Sequence, residues 1–156
     1  MRLALYQPDI PQNTGTILRM AACLGVSVDI IGPAGFDFGD RALKRAGLDY
    51  LDSVELNRHI SFASFETWRR KEGLRTVLAT TKARQTYTKL HYRSDDIIML
   101  GRESAGVPEI VSDVADELVS IPVRGGLRSL NVAVAAAIIV GEALRQTGGL
   151  GLIPRL

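Results

Sequence analysis

Short apolar runs alternate with helical patterns along the whole chain. Residues 3–6, 28–31, 76–79, 97–100 and 118–121 are mostly β-branched or aliphatic and are bounded by Gly, Pro or charge. Apolar runs without polar alternation predict strands buried on both faces, as in a parallel sheet. Between them, helices are expected at about 14–24, 40–46, 61–72, 108–115 and 129–147. Gly25, Gly47 and Gly73 each stand one position past one of the first three, where a left-handed residue ends a helix. No repeat, low-complexity tract or linker breaks the pattern. The expectation is one α/β domain spanning residues 1–156, a parallel sheet with helices on both faces.

The last helix departs from the usual pattern. Val132 to Gly141 are uncharged throughout, whereas a surface helix should be polar on one side. Leu130, Val134, Ala137 and Gly141 form one apolar stripe, and Val132, Ala135, Ile139 and Ala143 another. One stripe can lie on the sheet, and the second would expose an apolar patch of the kind that marks an interface. A two-fold homodimer is the commonest closure. The alternative is cover by the chain's own tail, 150–156.

Composition and charge narrow the class. With 46% hydrophobic and 23% charged residues, the composition is that of a soluble globular protein. Net charge is only +2, from 19 basic and 17 acidic side chains, so any nucleic-acid argument must be regional. A lone Cys23 excludes an internal disulfide, and with two histidines it argues against a zinc site. Residues 3–6 are too short for a signal core, and 132–141 is about half a membrane span. A cytoplasmic protein with no membrane segment is expected.

In sheets of this kind the ligand crevice lies beyond the carboxyl ends of the strands. Three segments leave strands there: 7–15, 101–108 and 122–131, all rich in Pro, Gly and polar residues. In the first, Asn13 reads either as a helix cap or as a site residue. Arg19 falls about 150° from the centre of the core stripe Ile17, Met20, Ala21 and Leu24. It is either a solvated cation or an anion-binding group near a helix N-terminus. In the second, Gly101 and Gly106 have phosphate-loop spacing, but Val107-Pro108 replaces the required Lys and Ser or Thr, which excludes a P-loop. No GxGxxG follows the first strand, so the dinucleotide fingerprint is absent too. A tight turn with a Pro at a helix start is the plain alternative.

The third segment runs through Arg124, Gly125, Gly126 and Arg128 to Ser129 and Asn131, where the last helix begins. Its free backbone groups beside a helix N-terminus suit a nucleotide-like ligand. Ser129 also reads as a plain N-cap, although Val132 denies it a capping-box partner. Separately, 82–93 carries Lys82, Arg84, Lys89 and Arg93 with Tyr87, His91 and Tyr92, and no acid. Cations with interleaved aromatics suit phosphate contact plus base stacking on RNA, against the alternative of a solvated loop. Arg41, Lys44 and Arg45 add a smaller basic cluster.

Together and in this order, the three segments resemble the SPOUT superfamily of trefoil-knotted RNA methyltransferases. Its pattern stands here as Asn13-Thr-Gly15-Thr-Ile-Leu-Arg19, then Gly101-Arg-Glu103-Ser-Ala-Gly106-Val-Pro108, then Ile121-Pro122 followed by Ser129-Leu130-Asn131-Val132-Ala133. The runs at 5–15, 45–50 and 80–82 are similar to the small tRNA wobble-nucleotide 2′-O-methyltransferases. The resemblance covers nearly the whole chain, with no added RNA-binding domain. It implies a five- or six-stranded parallel sheet with a deep C-terminal trefoil knot.

The resemblance further implies S-adenosylmethionine held by Ala79, Thr80, Leu100, Gly101, Gly106, Ile121, Pro122, Ser129 and Leu130, largely through backbone. The implied reaction is 2′-O-methylation of the wobble ribose of tRNA, on cytidine or a modified uridine, releasing S-adenosylhomocysteine and using no metal. Arg19 is implied to activate the hydroxyl. A guanidinium keeps its proton, so stabilising the developing alkoxide is the role expected of it. Asn13, Glu103, Ser129 and Asn131 would orient substrate, and Lys82, Arg84, Lys89, Arg93, Arg124 and Arg128 would hold RNA. A homodimer would complete the active site, with Arg19 of one subunit serving the cofactor loop of the other. Two alternatives remain at this point: a non-catalytic RNA- or nucleotide-binding module on the same scaffold, and a 2′-O-methyltransferase for another tRNA or rRNA position. A dinucleotide oxidoreductase loses with its missing fingerprint.

Overall fold

Alternation along β1 (Arg2–Tyr6) sends Leu3 and Leu5 to one face of a sheet and Ala4 and Tyr6 to the other, and all four are buried. The computed structural model describes residues 1–37, 45, 50 and 53–152. Around β1 stand β2 (Ser27–Ile31), β3 (Leu56–His59), β4 (Thr76–Ala79), β5 (Ile97–Leu100) and β6 (Glu117–Val119) in the order β3-β2-β1-β5-β4-β6. Every pairing is parallel, with Leu3 opposite Val28 on one side and Ile98 on the other. One face is covered by α1 (Pro11–Leu24) and α4 (Val132–Thr147), the other by α2 (Phe62–Lys71) and the short α3 (Glu109–Asp113). The expected parallel sheet with helices on both faces is therefore present.

β3 was not expected. Its Leu-Asn-Arg-His sequence has no apolar run, because an edge strand is paired and covered on fewer sides. Polar pairing holds it in place. Fully buried Asp29 on β2 accepts from Arg2 Nε at 2.7 Å and meets His59 Nε2 at 2.8 Å. Trp68 and Phe65 of α2 pack on the His59 ring, which shields the pair from water. Phe65 is wholly buried, and truncating such a side chain costs about 3–5 kcal/mol.

Helix boundaries correct several readings. α1 begins at Pro11, whose missing N–H costs nothing in a first turn. Ile10 is its N-cap and offers no side-chain bond, so Asn13 lies inside the helix and does not cap it. Gly25 ends it with φ 64°, donating its N–H toward Ala21 and Ala22. Ser61 forms the capping box of α2 with Ser64. Asn131 and not Ser129 caps α4, so the helix opens at residue 132 instead of 129. Strand β6 ends at Val119, which leaves Ile121 in the loop. The expected helix at 40–46, its stop at Gly47, and Arg41 and Lys44 lie outside the described residues; Arg45 is exposed.

The buried face of α4 is shifted from the expected stripe: Ile139 and Ala143 are buried, but Val132 and Ala135 are half-buried and line a pocket. Ala133, Ala136, Ile139, Val140, Ala143 and Leu144 are packed on the sheet and on α1. Leu130 and Val134 are 39% and 48% exposed, and Ala137 is exposed with them. A 3-10 turn, Gly149–Leu152, packs on α4, and 153–156 lie outside the described residues. Among the described residues no helix is long and apolar enough to cross a membrane.

A candidate active site at the switch point of the sheet

From β1 the chain builds outward to β2 and β3 on one side, then crosses to place β4, β5 and β6 on the other. The loops after β1 and β5 therefore diverge at adjacent strand ends, where open α/β sheets place their ligands. A pocket of about 470 Å³, the size of a small-molecule site, opens there. It is lined by Ala79, Thr80 and Thr81 after β4, by 100–103, Gly106 and Val107 after β5, and by Val119, Ile121 and Val123 around β6. Ser129, Leu130, Asn131 and the first turns of α4 close one wall, and Ile10 and Asn13 of α1 the other.

The backbone explains the glycines and the free polar groups. Arg102 and Gly106 exchange two backbone hydrogen bonds of 2.9 Å, a tight bridge that folds the 101–106 loop back on itself. A Cβ on Gly101 would stand 2.6 Å from the Gly106 carbonyl carbon, so the loop closes only on glycine. Between Ile121 and Leu130, the one backbone–backbone hydrogen bond among the described residues runs from Leu127 N–H to the Arg124 carbonyl at 3.2 Å. The remaining N–H and C=O groups of that loop stay open to a ligand.

Side chains from three separated segments join in one hydrogen-bonded chain. Asn131 Oδ1 accepts from the Ala133 and Val134 N–H groups at 2.8 and 3.3 Å, while its Nδ2 donates to Asn13 Oδ1 at 2.9 Å. Asn13 Nδ2 donates to Glu103 Oε1 at 3.3 Å. Glu103 Oε2 accepts from the Asp9 N–H at 3.0 Å, and Asp9 Oδ1 accepts from the Glu103 N–H at 3.2 Å. Ser104 Oγ donates to Asp9 Oδ2, and Arg102 Nε lies 3.5 Å from the same oxygen. Burial, and then the hydrogen bond it shares with Asp9, raise the Glu103 carboxyl above its ordinary value. That same bond, helped by Ser104, the Glu103 N–H and the Arg102 charge, holds Asp9 well below the usual carboxylate range.

Most of the expected site residues converge here. Asn13, Glu103, Ser129 and Asn131 line the pocket, as do Ala79, Thr80, Leu100, Gly101, Gly106, Ile121 and Leu130. Pro122 is exposed and outside the lining. Arg19 is not in the pocket either. Six residues beyond Asn13, it is turned about 240° around α1 and about 9 Å along it; it is exposed, with its guanidinium 5.0 Å from the Tyr50 ring. Asp9 was missed, its acid hidden between two prolines in a run read for its Asn and Gly.

The basic segment corrects one expectation. Lys82, Arg84, Lys89 and Arg93 are exposed, and so are Arg124 and Arg128. Tyr92, by contrast, is buried in the core, which pushes its phenol upward, and Tyr87 packs against the same cluster. Tyr92 is therefore a core residue and offers no stacking face, while Tyr87 is half-buried and His91 is exposed. The periodicity of 82–93 was too irregular to separate Tyr92 from surface aromatics.

A parallel sheet with a backbone-lined pocket at its switch point defines an α/β protein for a nucleotide-like ligand. Residues 1–141 match the SpoU rRNA methylase family, and the chain belongs to it. It is 60% identical to a tRNA (cytidine(34)-2′-O)-methyltransferase of Beijerinckia indica, over 97% of this chain and 94% of that one. Its fold is similar to a structure solved for 2-OH methylation of C/U34 on tRNA, with TM-score 0.89, 41% identity, and 93% and 94% of the two chains covered. The SpoU methyltransferase AviRb from Streptomyces viridochromogenes, solved with AdoMet, has TM-score 0.85 at 29% identity, over 94% of this chain and 57% of that one.

Proposed function

We propose that this protein transfers a methyl group from S-adenosylmethionine to the ribose 2′-hydroxyl of the wobble nucleotide of tRNA, cytidine or modified uridine 34. The observation that carries this is the convergence of Asn13, Glu103 and Asn131, from three distant segments, at a backbone-lined pocket. The relatives named for that reaction match over nearly their whole length.

The residues present suit the cofactor. The 121–130 loop holds open backbone donors and acceptors, and the Arg102–Gly106 bridge, with Gly101 packed against Gly106, keeps the opposite wall thin. Ala79, Thr80, Leu100, Gly101, Gly106, Ile121, Ser129 and Leu130 would hold it, with Pro122 shaping the loop behind. S-adenosylmethionine supplies a methyl group made electrophilic by its sulfonium. The chain's own residues must place a ribose hydroxyl in line with it and relieve that hydroxyl of a proton. Asn13, Ser129 and Asn131 orient the ribose. No step in this calls for a metal.

Arg19 acts from a second copy of the chain. It points away from the pocket of its own subunit, exposed and without an acidic partner among the described residues. The open stripe of Leu130 and Val134, beside exposed Ile10, Val123 and Leu127, is the surface a two-fold partner would cover. Arg19 would then stabilise the developing alkoxide and a neighbouring phosphate across that interface. The tRNA backbone would lie on Lys82, Arg84, Lys89, Arg93, Arg124 and Arg128. The single domain, 1–156, would do this in the cytoplasm, where tRNA is modified.

A trefoil knot belongs to the same reading. Its support is the close passage of two distant segments, where Ser120 bridges Thr86 in parallel and bonds to Gln85 and Tyr87. Transfer of a tritiated methyl group to undermodified bulk tRNA tests the function. Incorporation that is lost on ribose 2′-O-blocked tRNA is expected; RNA binding with no incorporation would favour a non-catalytic module.

A further inference from the structure

A proton acceptor for the ribose hydroxyl must be able to reach the pocket and must have a lone pair to offer. Arg19 fails on the second count from whichever copy it comes, since a guanidinium keeps its proton and has no acceptor atom. Among the described residues lining the pocket, the ionisable side chains are Arg102 and Glu103, and only Glu103 can take up a proton. Its carboxyl is half-buried and fixed by Asn13 Nδ2 and the Asp9 N–H. Asp9 is locked to it in return, through the Glu103 N–H and Ser104. A second carboxylate held so close disfavours ionisation of Glu103 and so raises its proton affinity, while the ionised form remains the one that accepts a proton.

We propose that the Asp9–Glu103 pair is the proton acceptor of the methyl transfer, with Glu103 taking the ribose 2′-hydroxyl proton and Asp9 acting as a positioning residue behind it. This rests on the methyl-transfer reading. The O2′–H bond breaks, the proton forms a new O–H bond on Glu103, and the electron pair stays on O2′, where the new C–O bond forms. Asp9 keeps its negative charge throughout and raises the proton affinity of Glu103, bringing an acid of ordinary strength nearer the working pH. The charged group facing the pair is Arg102 of the same loop; α1 and the turn into α4 add only the amides of Asn13 and Asn131. Asn13 thus ties the acceptor to the capped end of α4.

The test begins with the full-length wild-type chain without cofactor. Carboxyl carbon NMR should show Glu103 titrating above the ordinary glutamate range of about 4.3. Asp9→Asn keeps the hydrogen-bonding shape but removes the charge, so the Glu103 titration should move down. Because the base must be ionised, activity falls as pH drops through the Glu103 value, and the acid limb of the kcat profile in Asp9→Asn should shift to lower pH with it. The KM for tRNA and the calorimetric affinity for S-adenosylmethionine should change little. Glu103→Gln should lower kcat by about 100-fold or more, the usual weight of a positioned base. An ordinary Glu103 titration in the wild type overturns the proposal without any variant. So does an acid limb unmoved in Asp9→Asn, or near-normal turnover in Glu103→Gln while the wild type methylates tRNA. A wild type that binds cofactor and methylates no tRNA instead removes the methyl-transfer reading, and this role with it.

Discussion

Replacing Gly101 by alanine should cost both stability and cofactor affinity. The added Cβ would lie 2.6 Å from the carbonyl carbon of Gly106, 2.8 Å from its Cα and 3.0 Å from its oxygen. These are backbone atoms, so no rotamer change relieves the contact. Either the overlap is tolerated as overpacking, at about 1–3 kcal/mol, or the loop opens and loses the two Arg102–Gly106 hydrogen bonds, worth about 1 kcal/mol each. Both routes give roughly 2 kcal/mol, which for a chain of this length lowers Tm by roughly 4–8 °C. Two controls separate space from backbone strain. A Cβ added to Gly125 would meet nothing within 4 Å, and its φ is not positive, so Gly125→Ala should leave Tm unchanged. Gly106 also has open space but sits at φ +65°, so Gly106→Ala should cost about 1–2 kcal/mol through conformation alone. Thermal unfolding and calorimetry with S-adenosylmethionine read all three. Gly101→Ala should bind at least about tenfold more weakly, a change of about 1.4 kcal/mol. Wild-type Tm and wild-type affinity in Gly101→Ala would refute the close approach and its place in the site.

Further outcomes follow from the same geometry. Asn131→Ala removes the α4 cap and the bond to Asn13, and should lower stability by about 1–2 kcal/mol in urea unfolding while weakening turnover. Arg19→Ala should nearly abolish methylation with cofactor affinity held within a few-fold; mixing it with Ser129→Trp should restore activity if each pocket borrows Arg19 from a partner, and a monomeric mass by sedimentation would reject that sharing. Replacing Lys82, Arg84, Lys89 and Arg93 together by Ala should raise the tRNA KM by about tenfold or more and flatten its salt dependence; an unmoved KM would make the segment a solvated loop.

The continuous apolar strands were legible because burial on both faces leaves nothing polar to confuse them: 76–79 and 97–100 stand as expected. β3 was not, since it is held by the Asp29–His59 contact between residues thirty apart, which no local pattern encodes. The three loops could be located from their Pro, Gly and polar content, and most of their expected residues do meet at one pocket. Which residue did what inside them depended on tertiary contacts. Asn131 took the cap expected of Ser129 because its side chain also reaches Asn13 across the crevice. Tyr92 looked like a stacking surface until its neighbours in the core were known. Asp9 carries no periodicity at all, and its pairing with Glu103, ninety-four positions away, is visible only in space.

The central claim is that this pocket directs a methyl group to one ribose hydroxyl of tRNA. Purified protein, S-adenosylmethionine and undermodified tRNA, followed by nuclease digestion and mass spectrometry of the fragments, test it most directly. The account predicts a ribose methyl on nucleotide 34 that appears with the wild type and is lost with Glu103→Gln. A methyl on a base or at another position, or none despite measured cofactor binding, would contradict it.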